Sequence, residues 1–444
     1  MAPTLARRSI WAYGLLGFPL ALLGYPLGIW LPPAYSTGVG IDLATVGFVI
    51  SAAAVFDAVT DPLIGFTSDR IDTPLGRRRG LIAVGAPLLT LAVWMLLTPA
   101  ETSGVLYLVF WFLFLRIGST LVLVPYGALG AELSPEYHTR TILNSWRQRF
   151  VILGLLAAAF VPAIAEQLLG DGATALVVLN SYSWLVLVCL PLAALVTVAA
   201  VREPRRAPRA QHTPILESLR LMWNNDLFRR VMVIELVITG GESFRNALSV
   251  FFMTRAIGIE QPGTLYVLYF VMGLGAIPLW DWIARRFGKH RSLAAAMLLV
   301  SLDSIAIFAI FMFDFFRVEA FIALFAVKGF CFGAFSYLPL AMLADVVDID
   351  TARSGDARTG SYFAAHGFMT KCAGSFGGLS LPVLALTGFD AAAGAVNDFA
   401  ALTWLGILYA LVPTALFAFA FWICWHWPLT AERHAELRAR LEER

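Results

Sequence analysis

Twelve apolar runs, each long enough to match the thickness of a hydrocarbon core, divide this chain from end to end. They lie near 10–33, 43–68, 80–99, 104–131, 141–168, 180–201, 227–255, 263–285, 291–313, 318–346, 358–388 and 398–426. A helix needs about 20 apolar residues to cross a bilayer. In lipid, only helices and closed barrels satisfy their own backbone. The pattern predicts an all-α membrane protein with twelve transmembrane helices. Composition agrees, with 59% hydrophobic and only 14% charged residues among 444, where a soluble domain carries about a quarter charged. The first run follows Arg7 and Arg8 and reaches Pro33 with no small-residue cleavage site. It therefore reads as a spanning helix rather than a leader.

The turns alternate in charge. Arg70, Arg77, Arg78 and Arg79 follow the second run, and Arg140 follows the fourth. Arg202, Arg205, Arg206, Arg209 and Arg220 fill the link after the sixth. Arg285, Arg286, Lys289 and Arg291 follow the eighth, and Arg353 and Arg358 the tenth. The opposite turns hold Asp42, Glu101, Glu166, Asp171, Asp314, Asp390 and Asp398. The excess of Lys and Arg on one side predicts cytoplasmic N and C termini. A net charge of +2 and the lack of a long basic tract argue against a nucleic-acid partner. Cys189, Cys331, Cys372 and Cys424 form no CxxC and read as buried thiols. No HExxH, P-loop, nucleophile elbow or Gly-rich dinucleotide turn is present, which excludes the common enzyme classes.

The link REPRRAPRAQ marks the middle of the chain. The segment PLIGF…LGRRRG at 62–80 is echoed by PLWDWIARRFGKHR at 278–291, and VPYGALGAEL at 124–133 by LPLAMLADVV at 338–347. Two similar halves are expected of a transporter built from internal repeats, with its site near the midplane between them. The predicted organisation is a six-helix bundle over 1–201, a cytoplasmic linker over 202–226, a second six-helix bundle over 227–426 and a tail over 427–444.

Asp57 and Asp61 lie inside the second apolar run. Their spacing stacks them on one helix face, and ionisable groups at bilayer depth usually face a cavity. Two carboxylates that close cannot both ionise freely unless a cation lies between them or one holds a proton. Pro62 removes the partner of the Ala58 carbonyl and adds a possible oxygen ligand, and hard cations take oxygen ligands. Asp57 and Asp61 are thus candidate ligands for a metal cation such as Na⁺, or a site for H⁺. The competing reading is an ion pair with Arg or Lys. Lys371, in HGFMTKCAGSFGG, needs such a carboxylate, and Gly367, Gly374 and Gly378 beside it allow close helix approach.

Glu235, Glu242, Arg245 and Ser249 form one stripe on the seventh helix, with Asn246 alongside. Glu242 and Arg245 either touch a solute or neutralise each other. Arg147 and Arg149 open the fifth helix. Beside them Trp146 either stacks on a ring or anchors at the interface. Arg116 and Asp303 are lone charges that read as structural pairs, and His366 as a hydrogen-bonded core histidine. Asp69 with Arg77, Arg78 and Arg79, and Arg285 with Lys289, are expected to pair with Glu132, Asp345 and Asp348. Such pairs would hold the halves together on the inside in one state and break in the other, as a gate.

DAVTDPLIGFTSDR, the LGRRRG turn, VPYGALGAEL and ADVVD at 344–348 resemble the glycoside–pentoside–hexuronide cation symporters of the major facilitator superfamily. The likeness covers nearly the whole chain. It implies the major facilitator fold and alternating access in a bacterial inner membrane. It also implies symport of a small organic solute with Na⁺ or H⁺, no resident cofactor, and a monomer. In the family the matching Asp pair binds the cation with a Thr on helix 4, which is Thr120 here. Thr60 stands where the family often has Asn, and Lys371 matches a family Lys near the cation. Arg147 matches a substrate-contacting Arg.

The implied solute site comprises Tyr25, Trp146, Arg147, Glu242, Arg245 and Lys371. The family's galactoside carrier also uses an Asp on helix 1 and another on helix 4. Helix 1 here has only Tyr13 and Tyr25 as ionisable groups, and the helix 4 position is Leu123. A galactoside is therefore not carried over. The cationic residues suit an anionic solute, and the apolar helices suit a lipophilic one. A vertebrate branch with a similar helix 2 carries lysophospholipids with Na⁺, which keeps a lipid substrate as the alternative.

Overall fold

Long runs without a charge leave the backbone only its own groups to bond to, and the chain answers with helices. The computed structural model describes residues 7–68, 71, 73–133, 137–203, 223–314, 317–354 and 359–429. These residues are helical throughout, with short turns and no strand. Asp69, most of the 202–226 link and the tail beyond Leu429 lie outside the described residues.

The first half contains α1 (Arg7–Gly38), α2 (Leu43–Ser68), α3 (Arg77–Leu97), α4 (Val105–Glu132), α5 (Tyr137–Leu169) and α6 (Ala175–Ala200). The second contains α7 (Asp226–Phe251), α8 (Pro262–Phe287) and α9 (Lys289–Phe313). It continues with α10 (Arg317–Phe335, then Leu338–Ser354 after a short turn), α11 (Thr359–Ala385) and α12 (Phe399–Trp425). Among the described residues, nine helices are long and apolar enough to cross a membrane. The full α2, α7 and α11 are not among them, and these three carry Asp57 and Asp61, Glu242 and Arg245, and Lys371.

Local chemistry sets the irregularities. α1 widens into π turns at Pro26–Trp30 and Ala34–Gly38, where Pro26, Pro32 and Pro33 supply no N–H to the helical ladder. A π turn also follows α7 at Phe252–Ile257 and another interrupts α12 at Ile407–Leu411. Gly76 takes a φ of 107° just before α3, a conformation that Gly reaches without strain.

The helices pack in a repeating scheme. Within the first half, α1 packs on α5 and α6, α3 on α4 and α6, and α2 on α4. Adding six to each number gives the second half: α7 on α11 and α12, α9 on α10 and α12, and α8 on α10. The halves meet where α2 lies along α11 and α5 along α8, and these two crossings exchange under the same shift.

Glycines permit the closest approaches. A Cβ on Gly329 of α10 would stand 2.8 Å from Tyr269 Cα and 2.9 Å from Tyr269 C on α8. Gly273 and Gly333 face each other at the same crossing. Small residues four apart let spanning helices touch backbone to backbone. Gly329→Ala is therefore expected to cost about 1–3 kcal/mol through overpacking. Thermal unfolding of the purified protein in detergent should show a melting temperature several degrees lower, and an unchanged value would refute this account of the crossing.

Candidate functional site

The two carboxylates of α2 meet the hydroxyl of Thr120 from α4. Thr120 Oγ1 lies 3.1 Å from Asp57 Oδ1, 2.9 Å from Asp61 Oδ1 and 3.1 Å from the Arg116 carbonyl. A hydroxyl has one proton to donate, so it satisfies one of these three oxygens and leaves the others facing oxygen. Asp57 is 3% exposed and Thr120 1%. Buried oxygens crowded in this way form the kind of ligand set a hard cation takes.

Two cations balance the pair. Arg116 Nη1 is 3.4 Å from Asp57 Oδ2. Lys371 Nζ, from α11 in the other half, is 3.1 Å from Asp57 Oδ2 and closes on Asp61 Oδ2. The four formal charges cancel, so an added Na⁺ would leave the cluster with net +1 unless one of the two cations withdrew. Of the two, Lys371 comes from the other half and ends in a compact ammonium on a flexible four-carbon stem. Thr60 stands apart from this cluster: its hydroxyl turns back to the Phe56 and Asp57 carbonyls at 3.0 and 3.3 Å.

One to two turns along α11 from Lys371, a cavity of about 330 Å³ opens between the halves. Its lining includes Tyr25, Tyr266, Tyr269, Phe270 and Phe332, with Ser243 and Asn246 as polar side chains. Gly24, Gly28 and Gly374 face open space there, while Gly377 and Gly378 at its edge let α11 close on α7 and α2. Tyr25 packs edge-on to Tyr266 and Phe270 with ring centroids 5.3 Å away in each case. Among the described residues, no charged side chain lines the cavity.

Of the six residues expected to contact solute, Tyr25 lines this cavity and the others do not. Trp146 packs on Trp11 at 4.1 Å between centroids and lies under the Arg149 guanidinium. Arg147 sits over the Tyr126 ring, 5.8 Å from its centroid. Arg245, 2% exposed, pairs with Glu242 three residues before it on the same helix. Lys371 is held by the Asp pair.

Two polar clusters flank the site in the second half. Lys328 of α10 donates to Tyr409 at 3.1 Å and is as deeply buried as Arg245, while the buried carboxylate of Asp303 accepts no hydrogen bond among the described residues. Sequence reasoning passed over Lys328, although a lone Lys within an apolar run marks it. Glu235 accepts from Thr239 at 2.7 Å and Thr370 at 3.2 Å, and His366 Nε2 stands 3.4 Å away.

The charged turns depart from the expected gate. Arg77 and Arg78 pair with Glu132 at 3.2 and 2.8 Å, joining α3 to α4. Lys289 pairs with Asp345 at 2.7 Å, joining α9 to α10. Arg285 pairs with Asp281 of its own helix. Among the described residues these pairs brace each half internally and do not cross between halves. The reason is geometric: each basic turn lies beside the end of the next helix but one in its own half.

A family profile described as MFS/sugar transport protein matches residues 12–431. The putative glycoside/cation symporter YagG of Escherichia coli (strain K12) is 24% identical over 412 residues, covering 89% of each chain. The sodium-dependent lysophosphatidylcholine symporter 1-A of Danio rerio is 22% identical, covering 96% of this chain and 87% of its own. The crystal structure of a D-xylose-proton symporter superposes with a TM-score of 0.65 at 17% identity, covering 95% of this chain and 97% of that one. That likeness concerns the fold. The chain is a multi-pass membrane transporter, not an enzyme, and it belongs to the MFS/sugar transport family.

Proposed function

We propose that this protein is a monomeric cation symporter that moves a small, sugar-like solute by alternating access, with Asp57, Asp61 and Thr120 holding the coupling Na⁺ or H⁺. Two six-helix bundles, 1–201 and 227–426, rock against each other. The helices number twelve, α2, α7 and α11 crossing the membrane with their charges turned inward. The Arg-rich turns and both termini lie on the cytoplasmic side.

The observation that carries this reading is the crossing ion pair. Lys371 and a cation compete for the same oxygens, one from the far half of the protein and one from solution. Cation entry therefore removes the ion pair joining α11 to α2 and frees an ammonium one turn from Gly374 at the cavity wall. A state change that follows ligand binding needs such a difference in interaction between the two states.

The cavity bears on the choice between solute classes. Pockets for small molecules run from about 300 to 1,000 Å³, and this one is near the lower bound. Aromatic walls with Ser243 and Asn246 suit a ring with hydroxyls, and the lining offers an anion no cation of its own while Lys371 is paired. A lysolipid is the second reading. The apolar lining and the Danio rerio relative favour it, and the small volume counts against it.

Asp61→Asn is expected to abolish cation-driven accumulation in proteoliposomes, by 100-fold or more on the order of a catalytic-site loss, while the variant still assembles. Full uphill transport by it would end the cation assignment. Lys371→Met leaves the carboxylates with Arg116 alone. The buried Asp57 then keeps one counter-charge instead of two, so its melting temperature should drop in choline buffer and recover when the coupling ion, Na⁺ or H⁺, is supplied. Indifference to both ions would argue against competition at this site. A thermal-shift screen of sugars, uronides and lysolipids, with and without Na⁺, then identifies the solute through its linkage to the ion.

A further inference from the structure

At the end of α5 remote from the Arg-rich turns, Glu166 is 3% exposed. Its carboxylate reaches the other half. Oε1 accepts from the Gly263 N–H at 2.6 Å, and Oε2 accepts from the Thr264 N–H at 2.9 Å and the Thr264 hydroxyl at 3.1 Å. These donors are the first turn of α8. The residue before α8, Gln261, makes no side-chain cap. The first N–H groups of a helix have no partner within it and carry the positive end of its dipole. α8 thus receives its cap from the opposite half of the molecule.

The equivalent crossing is built differently. α2 is capped by its own neighbour, Asp42, whose Oδ2 accepts from the Thr45 N–H at 2.9 Å. So the end of α8, unlike that of α2, loses its cap when the halves part on this side. The approach is also close: a Cβ on Gly263 would meet Pro162 Cβ at 2.6 Å and Glu166 Oε1 at 2.8 Å. Just below, Tyr266 of α8 packs on Tyr25 of α1 over the cavity.

The geometry assigns Glu166 as the latch of the outer gate: it caps α8 across the seam and must release before solute can enter the cavity from that side. Release leaves the Gly263 and Thr264 donors to water, so the cap favours the outwardly closed state without touching cation or solute. The word outer rests on the orientation proposed above, while the latch itself does not.

Spin labels test this on the full chain in lipid, with Cys189 and Cys372 replaced by Ser. Leu168→Cys with Val396→Cys reports the outer ends, and Leu75→Cys with Phe287→Cys the inner ends; all four positions are exposed. In Glu166→Ala the ratio of long to short outer distances is expected to rise about tenfold, the scale of losing hydrogen bonds to a charged group. The inner distance should shorten reciprocally, which general loosening would not produce. Gly263→Ala wedges the same contact with the carboxylate intact and should act in the same direction; it carries the test if Glu166→Ala fails to assemble. Unchanged outer distances, or broadening at both ends without reciprocity, overturns the latch. Protease access to an N-terminal tag in right-side-out vesicles tests the orientation separately, so the two failures are told apart.

Discussion

The ion pair between Lys371 and the Asp57–Asp61 pair is the constraint around which the rest of this molecule is arranged. Charge at this depth is tolerated when it is balanced locally. Here the balance is divided between halves, with the carboxylates on α2 and the ammonium on α11. A charge pair split in this way joins the two halves and, on the proposed reading, gives way when a dissolved cation takes its oxygens. The same pair made within one half would be inert to transport.

The second half shows that contrast. Its Glu242 and Arg245 are neutralised on one helix, and Glu235 is satisfied between α7 and α11. Lys289–Asp345 and Arg77–Glu132 tie neighbouring helices in the same half. Such contacts resist deformation within a half and are indifferent to how the halves sit. Close Gly crossings of α8 and α10 do the same through packing. Rigid halves concentrate movement at the seam, where the cavity and the exchangeable pair lie.

Much of this was legible in the sequence because charge inside an apolar run is rare and needs a partner. That reasoning joined Lys371 to Asp57 and Asp61 correctly, and the helix 4 Thr followed from the family resemblance. It reached Arg116 as a paired group, which proves to be the second counter-charge of Asp57. The cavity was not legible, because Tyr266, Tyr269 and Phe270 in an apolar run look like any buried core. The turn charges were paired with sensible partners, yet spacing alone does not say whether a partner belongs to the same half. Glu166 read as one more acid of an outer turn, since nothing local reveals that its donors lie almost a hundred residues away.

The Lys371 and Glu166 contacts across the seam differ in what replaces them. In the proposed cycle the Lys371 pair gives way to an ion from solution, so its strength would depend on which ions are present. The Glu166 contact gives way only to water, because its donors are backbone N–H groups fixed on α8. On the proposed reading, one contact makes the balance between states respond to the cation and the other sets a constant preference against opening outward.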